Sequence, residues 1–243
     1  MLDFRPYVYY CNIMNDSVTI RTNESARKKF MTGVYSWMVL ALAISAACAY
    51  VTATNTVLLS FIFGNAFVFP ILVLGELALV FWLSARIGKM SAGAAAAAFV
   101  AYSVLNGITL SSVVLVYSGA SIVRVFLITA GMFACMSVYG RVTKSDLRSA
   151  GRYLMMAVFG ILIASVVNVF TRSSGLDWIL SLVTVGVFTG LTAYDTQKLY
   201  RISAQADESE LFAKVAIIGA LELYLDFVNV FLALLRLFGK SKN

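Results

Sequence analysis

The 243-residue chain contains no histidine. That absence removes a Ser-His-Asp triad, an H-E-x-x-H zinc site and the one side chain that ordinarily titrates near neutral pH. Any proton sensing must therefore fall to carboxylates. Cysteine is scarce: Cys11, Cys48 and Cys135 show neither metal-ligand spacing nor a paired framework, and two of them lie in apolar stretches, so all three read as free packing thiols. Charged residues make up 13% of the chain against 60% hydrophobic ones, and mean hydropathy is +0.86, which excludes an ordinary soluble domain. A cleavable signal peptide is not expected either, because the first 29 residues are mixed and polar and the first apolar run is too long for an h-region.

What the chain does have is hydrophobic length. Stretches at 30–53, 67–86, 91–117, 120–139, 153–171, 177–199 and 212–238 each suffice, at about 1.5 Å per residue, to cross about 30 Å of hydrocarbon. They predict an all-α polytopic membrane protein with seven transmembrane helices. Its parts are a cytoplasmic segment (1–29), a helical domain (30–239) and a short tail (240–243). Val57–Phe63 is apolar but too short to span, and Pro70 is expected to kink the second helix.

Basic residues predict the orientation. Arg5, Arg21, Arg27, Lys28 and Lys29 precede the first helix, Arg86 and Lys89 follow the second, Arg141, Lys144, Arg148 and Arg152 follow the fourth, and Lys198, Arg201 and Lys214 follow the sixth. The opposite loops carry only Arg124 and Arg172. The N-terminus is thus expected in the cytoplasm, and the net charge of +7 reflects topology and anionic lipid rather than nucleic acid. Arg236, Lys240 and Lys242 break the pattern, since seven crossings would put them outside. A cytoplasmic C-terminus, with the last helix dipping in and returning, is the favoured resolution.

Acids inside these stretches carry the chemistry. Asp226 lies in the 24-residue apolar run Val215–Phe238, where an ionised carboxylate at a helix centre costs about 2.5–3.5 kcal/mol. Gly219, Glu222, Asp226, Asn229 and Ala233 recur at three- and four-residue spacing and share one face, a polar stripe suited to a bundle interior. Asp195 ends the apolar part of the sixth stretch and has Lys198 as a neighbour, so a surface carboxylate is its plainer reading. Glu76 is near the centre of the second. Arg86 either snorkels to headgroups or folds inward as a breakable latch on a buried acid. Asn106, Gly107 and Asn168 add polar or flexible groups at membrane depth, and Gly186 and Gly190 form a G-x-x-x-G. Structural hydrogen bonding between helices is the alternative reading of Asp226 and Glu222.

The segments NGITLSS (106–112), GRVTKSDL (140–147), TAYDTQKL (192–199) and ALELYLDFVNVFLALLRLFG (220–239) together resemble the Bax inhibitor-1 family, the transmembrane Bax inhibitor motif proteins, over about residues 26 to 239. The composite is similar to bacterial members. The resemblance implies six helices around a central, seventh C-terminal helix, a cytoplasmic C-terminus and a pH-sensitive calcium leak. It further implies a sensor and gate of two aspartates, which fall on Asp195 and Asp226, with transient calcium contact there. A second-helix arginine latch falls on Arg86. Glu76 resembles an acid found in some bacterial members, and Glu222 replaces a small polar residue.

Two carboxylates crowded in a poorly hydrated site cannot both ionise comfortably and titrate as a pair, so they can respond near neutral pH without histidine. Calcium suits such a path because it takes six to eight oxygens, which carboxylates, Asn229 and backbone carbonyls supply incompletely. The reading is therefore a pH-gated cation leak of the bacterial inner membrane, with Glu76, Glu222 and Asn229 along the path. Its partners are lipid, calcium ions, protons and other membrane proteins, and it takes no cofactor. A proton-coupled exchanger and a regulatory membrane protein are the alternatives. An intramembrane aspartyl hydrolase would use the same acids, but no G-x-G-D accompanies Asp226, and no enzyme is expected.

Overall fold

The computed structural model describes residues 24–207 and 209–242. Arg5, Arg21 and Cys11 lie outside the described residues, with most of the expected N-terminal segment. Eight α-helices occur among the described residues: α1 (Glu24–Thr54), α2 (Thr56–Phe63), α3 (Val68–Arg86), α4 (Ala92–Val116), α5 (Gly119–Val142), α6 (Arg148–Thr171), α7 (Ser174–Ile202) and α8 (Glu210–Phe238). Seven of them, all but α2, are long and apolar enough to cross a membrane. Each expected stretch has its helix, and α1 begins six residues before position 30.

Burial runs opposite to a soluble protein's. In α1 the buried stripe Phe30, Val34, Met38, Ala41, Ser45, Ala49 and Thr52 includes small and polar residues, while Val39, Leu40, Tyr50 and Val51 on the other faces are exposed. Helices apolar all round need lipid on their outer faces. The extreme is α6, of which only Gly151 is buried while Tyr153, Met156, Phe159, Ile163 and Phe170 point outward. At the other extreme 72% of the most apolar window of α8 is buried, against 39% or less for every other span. This is the burial expected of a central C-terminal helix.

Two compact units divide the chain: the described part of Met1–Val113 with Arg201–Leu221, and Val114–Tyr200 with the described part of Glu222–Asn243. In the first, Ser45 Oγ donates to the Ser103 carbonyl at 2.7 Å, and a Cβ on Gly107 would meet the Ser45 carbonyl oxygen at 2.6 Å, so α1 and α4 touch backbone to backbone. Phe30 packs edge-on against Phe212. In the second, Gly140 of α5 rests on the Ala193 backbone of α7, and Gly151 of α6 rests on the Tyr194 ring. Of the G-x-x-x-G pair, Gly190 meets Leu154 at 3.0 Å whereas Gly186 faces open space.

Three expectations are corrected. Pro70 sits in the first turn of α3, where its missing N–H removes no bond of the helix interior, so it starts the helix and does not kink it. Asn168 belongs to the last turn of α6, where its Oδ1 accepts from the Ser173 N–H at 3.1 Å beside left-handed Arg172 (φ 48°); it closes a helix end and is not a mid-membrane group. Finally, α8 is one unbroken 29-residue helix that does not turn back. Its tail is tied to the α4–α5 connection: the Lys240 N–H donates to Ser121 Oγ at 2.9 Å, Lys240 O accepts from the Ser118 N–H at 3.0 Å, and Lys242 Nζ donates to the Val114 carbonyl at 2.7 Å. The tail therefore lies at the opposite end of α5 from the basic 143–147 turn, against the expectation that both face the cytoplasm. Arg236 pairs with Asp177 at 3.8 Å, and Lys242 is held by a carbonyl.

Gly140→Ala should cost about 1–3 kcal/mol through overpacking. Gly131→Ala, in the same helix but with nothing within 4 Å, should be neutral or stabilising. Thermal melting of the detergent-purified variants checks both.

Candidate functional site

Within the second unit, the segment TAYDTQKLY of α7 places Thr192, Asp195, Thr196 and Leu199 one helical turn apart on a buried face. Thr196 Oγ1 reaches Ser137 Oγ of α5 at 3.4 Å. Gln197, 5% exposed, accepts from the Leu147 N–H at 3.0 Å and donates to the Ser145 carbonyl at 2.8 Å. The segments GRVTKSDL and TAYDTQKL are thus two halves of one contact, in which a buried amide satisfies a turn's backbone.

Asp195 is 8% exposed, so it is no surface carboxylate despite its place near the helix end. Lys198, counted above as a loop cation, is part of α7 and only 19% exposed in its side chain. Its ammonium donates to both Glu222 oxygens at 2.8 Å and lies 3.6 Å from Asp195 Oδ1. Asp226, one turn beyond Glu222 on α8, is 3% exposed, and its Oδ2 has no hydrogen-bond partner. The Thr192 hydroxyl donates to the Phe188 carbonyl at 2.9 Å, and Asp195, Glu222 and Lys198 all act on Asp226 electrostatically. Three carboxyls and one ammonium thus lie near one another on two helices, Asp195 and Asp226 buried, Glu222 and Lys198 half-buried. Asn229, on the same face, spends its amide on the Leu225 carbonyl at 2.8 Å within α8.

Beside this cluster Phe227 packs against Phe126 and Phe133, with ring centroids 5.3 and 5.8 Å apart. The adjoining gap, lined by Thr129, Phe133, Thr189, Thr192, Phe227 and Val230, has a volume of ≈ 0 Å³ for a water-sized sphere.

The first unit has its own buried acid. Only Glu76 and Leu83 of α3 are buried, and the Glu76 carboxyl accepts from Thr109 Oγ1 at 2.8 Å and Asn106 Nδ2 at 3.1 Å, both from NGITLSS of α4. Lys214 of α8 donates to the Met90 carbonyl at 2.9 Å and is likewise no free loop cation. Arg86 is exposed at the end of α3 and forms no ion pair among the described residues. Among the same residues no three His, Cys, Asp or Glu side chains are grouped as ligands for a bound metal.

Asp195, Asp226 and Glu222 were legible as intramembrane acids. Lys198 as their counter-ion was not; its three-residue spacing from Asp195 was a signal, but its choice of Glu222 depends on how α7 meets α8.

Fold and site define a polytopic integral membrane protein that keeps carboxylates inside its helical body. Residues 27–243 match the family described as "Inhibitor of apoptosis-promoting Bax1", and the chain belongs to that family. It is similar to the inner membrane protein YbhL of Escherichia coli, 46% identical over 215 residues that cover 88% of this chain and 92% of that one. A protein of Borreliella burgdorferi is 44% identical over 218 residues, 89% and 94% of the two chains, and one from Deinococcus radiodurans is 43% identical over 216 residues, 89% and 92%.

Replacing Gln197 by Leu should cost about 1–3 kcal/mol, because the Leu147 N–H and Ser145 carbonyl lose their partner inside the protein. Replacing exposed Ser173 should cost less, and thermal melting in detergent measures the difference.

Proposed function

We propose that the protein is a pH-sensitive cation leak of the bacterial inner membrane, carrying calcium, with Asp195 and Asp226 as sensor and gate. The observation that carries this reading is the site itself: Asp195 and Asp226 are buried, Asp195 and Glu222 share one ammonium, and Asp226 Oδ2 has no donor. Such an oxygen is satisfied by a proton or by a passing cation, and exchange between the two makes permeation depend on pH. Carboxyls that share a poorly hydrated site lose protons in coupled steps and not one residue at a time.

Calcium fits the chemistry because it takes six to eight oxygens, and this site offers carboxylate oxygens without completing a cage. An incomplete cage lets the ion leave. Glu222 and Asn229 extend the polar face of α8 along its path; within the first unit Glu76 is a buried acid assigned to ion passage there. The Phe227 ring packs closely on Phe126 and Phe133 beside the site, so conduction there requires these rings to move. Arg86, exposed here, is free to serve as the latch of another state. No hydrolytic role is assigned to the acids. The inner-membrane location follows the name of the similar E. coli protein.

The family's description favours a second reading, a regulator that binds other membrane proteins. Reconstitution separates them. With a calcium indicator trapped in liposomes, wild type should admit calcium in a pH-dependent way between about pH 6 and pH 8, and Asp195→Asn/Asp226→Asn should lose the influx or its pH dependence. Folded wild type that admits no more calcium than empty liposomes at any pH would favour the regulator.

The basic turns are assigned to the cytoplasm, which puts the C-terminal tail outside. In a background lacking the native cysteines, Ser241→Cys should react with a membrane-impermeant maleimide from outside the cell, and Ser145→Cys only after lysis.

A further inference from the structure

The proposed aspartate sensor leaves the contacts of Lys198 unexplained. Its ammonium is chelated by both oxygens of Glu222 at 2.8 Å and touched by Asp195 Oδ1 at 3.6 Å. Asp226, 3% exposed with Oδ2 unpartnered, lies one turn beyond Glu222 on α8, within electrostatic reach of Asp195, Glu222 and Lys198. Carboxyl oxygens of Glu222 and Asp195 meet on one positive charge, and the cation that fills this position is part of the chain. The charged groups facing it are Asp195 from its own helix and Glu222 and Asp226 from α8. From α5 comes the Ser137 hydroxyl, bonded to Thr196, while Arg141 is set over the Tyr200 ring at 5.4 Å.

We infer that Lys198 is a tethered cation that fills the ion-binding position of this site and competes with a divalent ion for it. The inference rests on the cation-leak reading and deepens it: the ion that passes must displace the ammonium from Glu222 and Asp195. The tether favours the lysine, because a group held one helical turn from Asp195 has a high effective concentration that a free ion must exceed. The divalent ion has the compensating advantage of twice the charge and more oxygen contacts. The result is a site that resists occupation at low calcium and gives way as calcium rises. Glu222, an extra acid, is what holds the ammonium in place.

The test is calcium binding to the full-length, detergent-purified protein by titration calorimetry at fixed pH, with flux into liposomes measured in parallel. Lys198→Met keeps the apolar stem and removes the charge. It should bind calcium at least about tenfold tighter than wild type, since a like charge at contact distance is gone. Lys198→Arg keeps the charge and should stay within about threefold of wild type. Glu222→Gln, which leaves the ammonium to Asp195, should weaken calcium binding at least about tenfold. The inference is overturned if folded Lys198→Met binds calcium no tighter than wild type, or if Lys198→Arg gains as much as Lys198→Met. Should Lys198→Met fail to fold, Lys198→Gln, which also removes the charge, is held to the same criterion. If the affinities shift as stated but neither wild type nor any variant admits calcium, the tethered cation stands and the leak reading falls.

Discussion

A carboxyl group inside a bilayer must be given a cation, a proton or a hydrogen-bond donor, because lipid offers none of them. Much of this molecule follows from that requirement. Glu76 is met by an amide and a hydroxyl from α4, and Glu222 by an ammonium from α7. Each need fixes the facing of two helices at once: the acid and its donor must both turn inward, and their remaining faces are then left for lipid. This is why α3 buries little besides Glu76 and Leu83, and why Leu, Phe and Val crowd the outside.

Close backbone contact supplies what polar pairing cannot. Lipid tails are as apolar as leucine side chains, so helices gain nothing by merely hiding hydrophobic surface from one another. Glycines at 107 and 140 let backbones meet directly, and hydroxyl-bearing residues such as Ser45 and Thr196 bond across those contacts. In the second unit the Gly140 contact falls on Ala193, two residues before Asp195. The packing that holds α7 therefore also sets the position of the acid.

Much of this was legible in the chain. Lengths of apolar run gave seven spans because hydrocarbon thickness imposes a length that composition reveals directly. The acids at 76, 195, 222 and 226 stood out because a carboxylate in such a run is rare. Pro70 misled because position within the helix, not identity, decides whether proline bends it. The tail misled because its cations say nothing of where the helix before them ends, and α8 runs unbroken to the end of α5 away from the basic turn. Lys198 misled most: beside Arg201 it reads as the start of a basic loop, yet its helix continues to Ile202.

The sequence alone determined the class of protein, the number of crossings, and which helices carry acids, since these depend on local composition and on the membrane's fixed thickness. Only the tertiary structure decided which groups answer those acids. A lysine three residues from one aspartate chooses a glutamate 24 residues further on, and a glutamine in α7 closes a turn 50 residues before it. Such choices depend on distances between helices, and those are set by the contact of small residues whose pairing no single stretch of chain encodes.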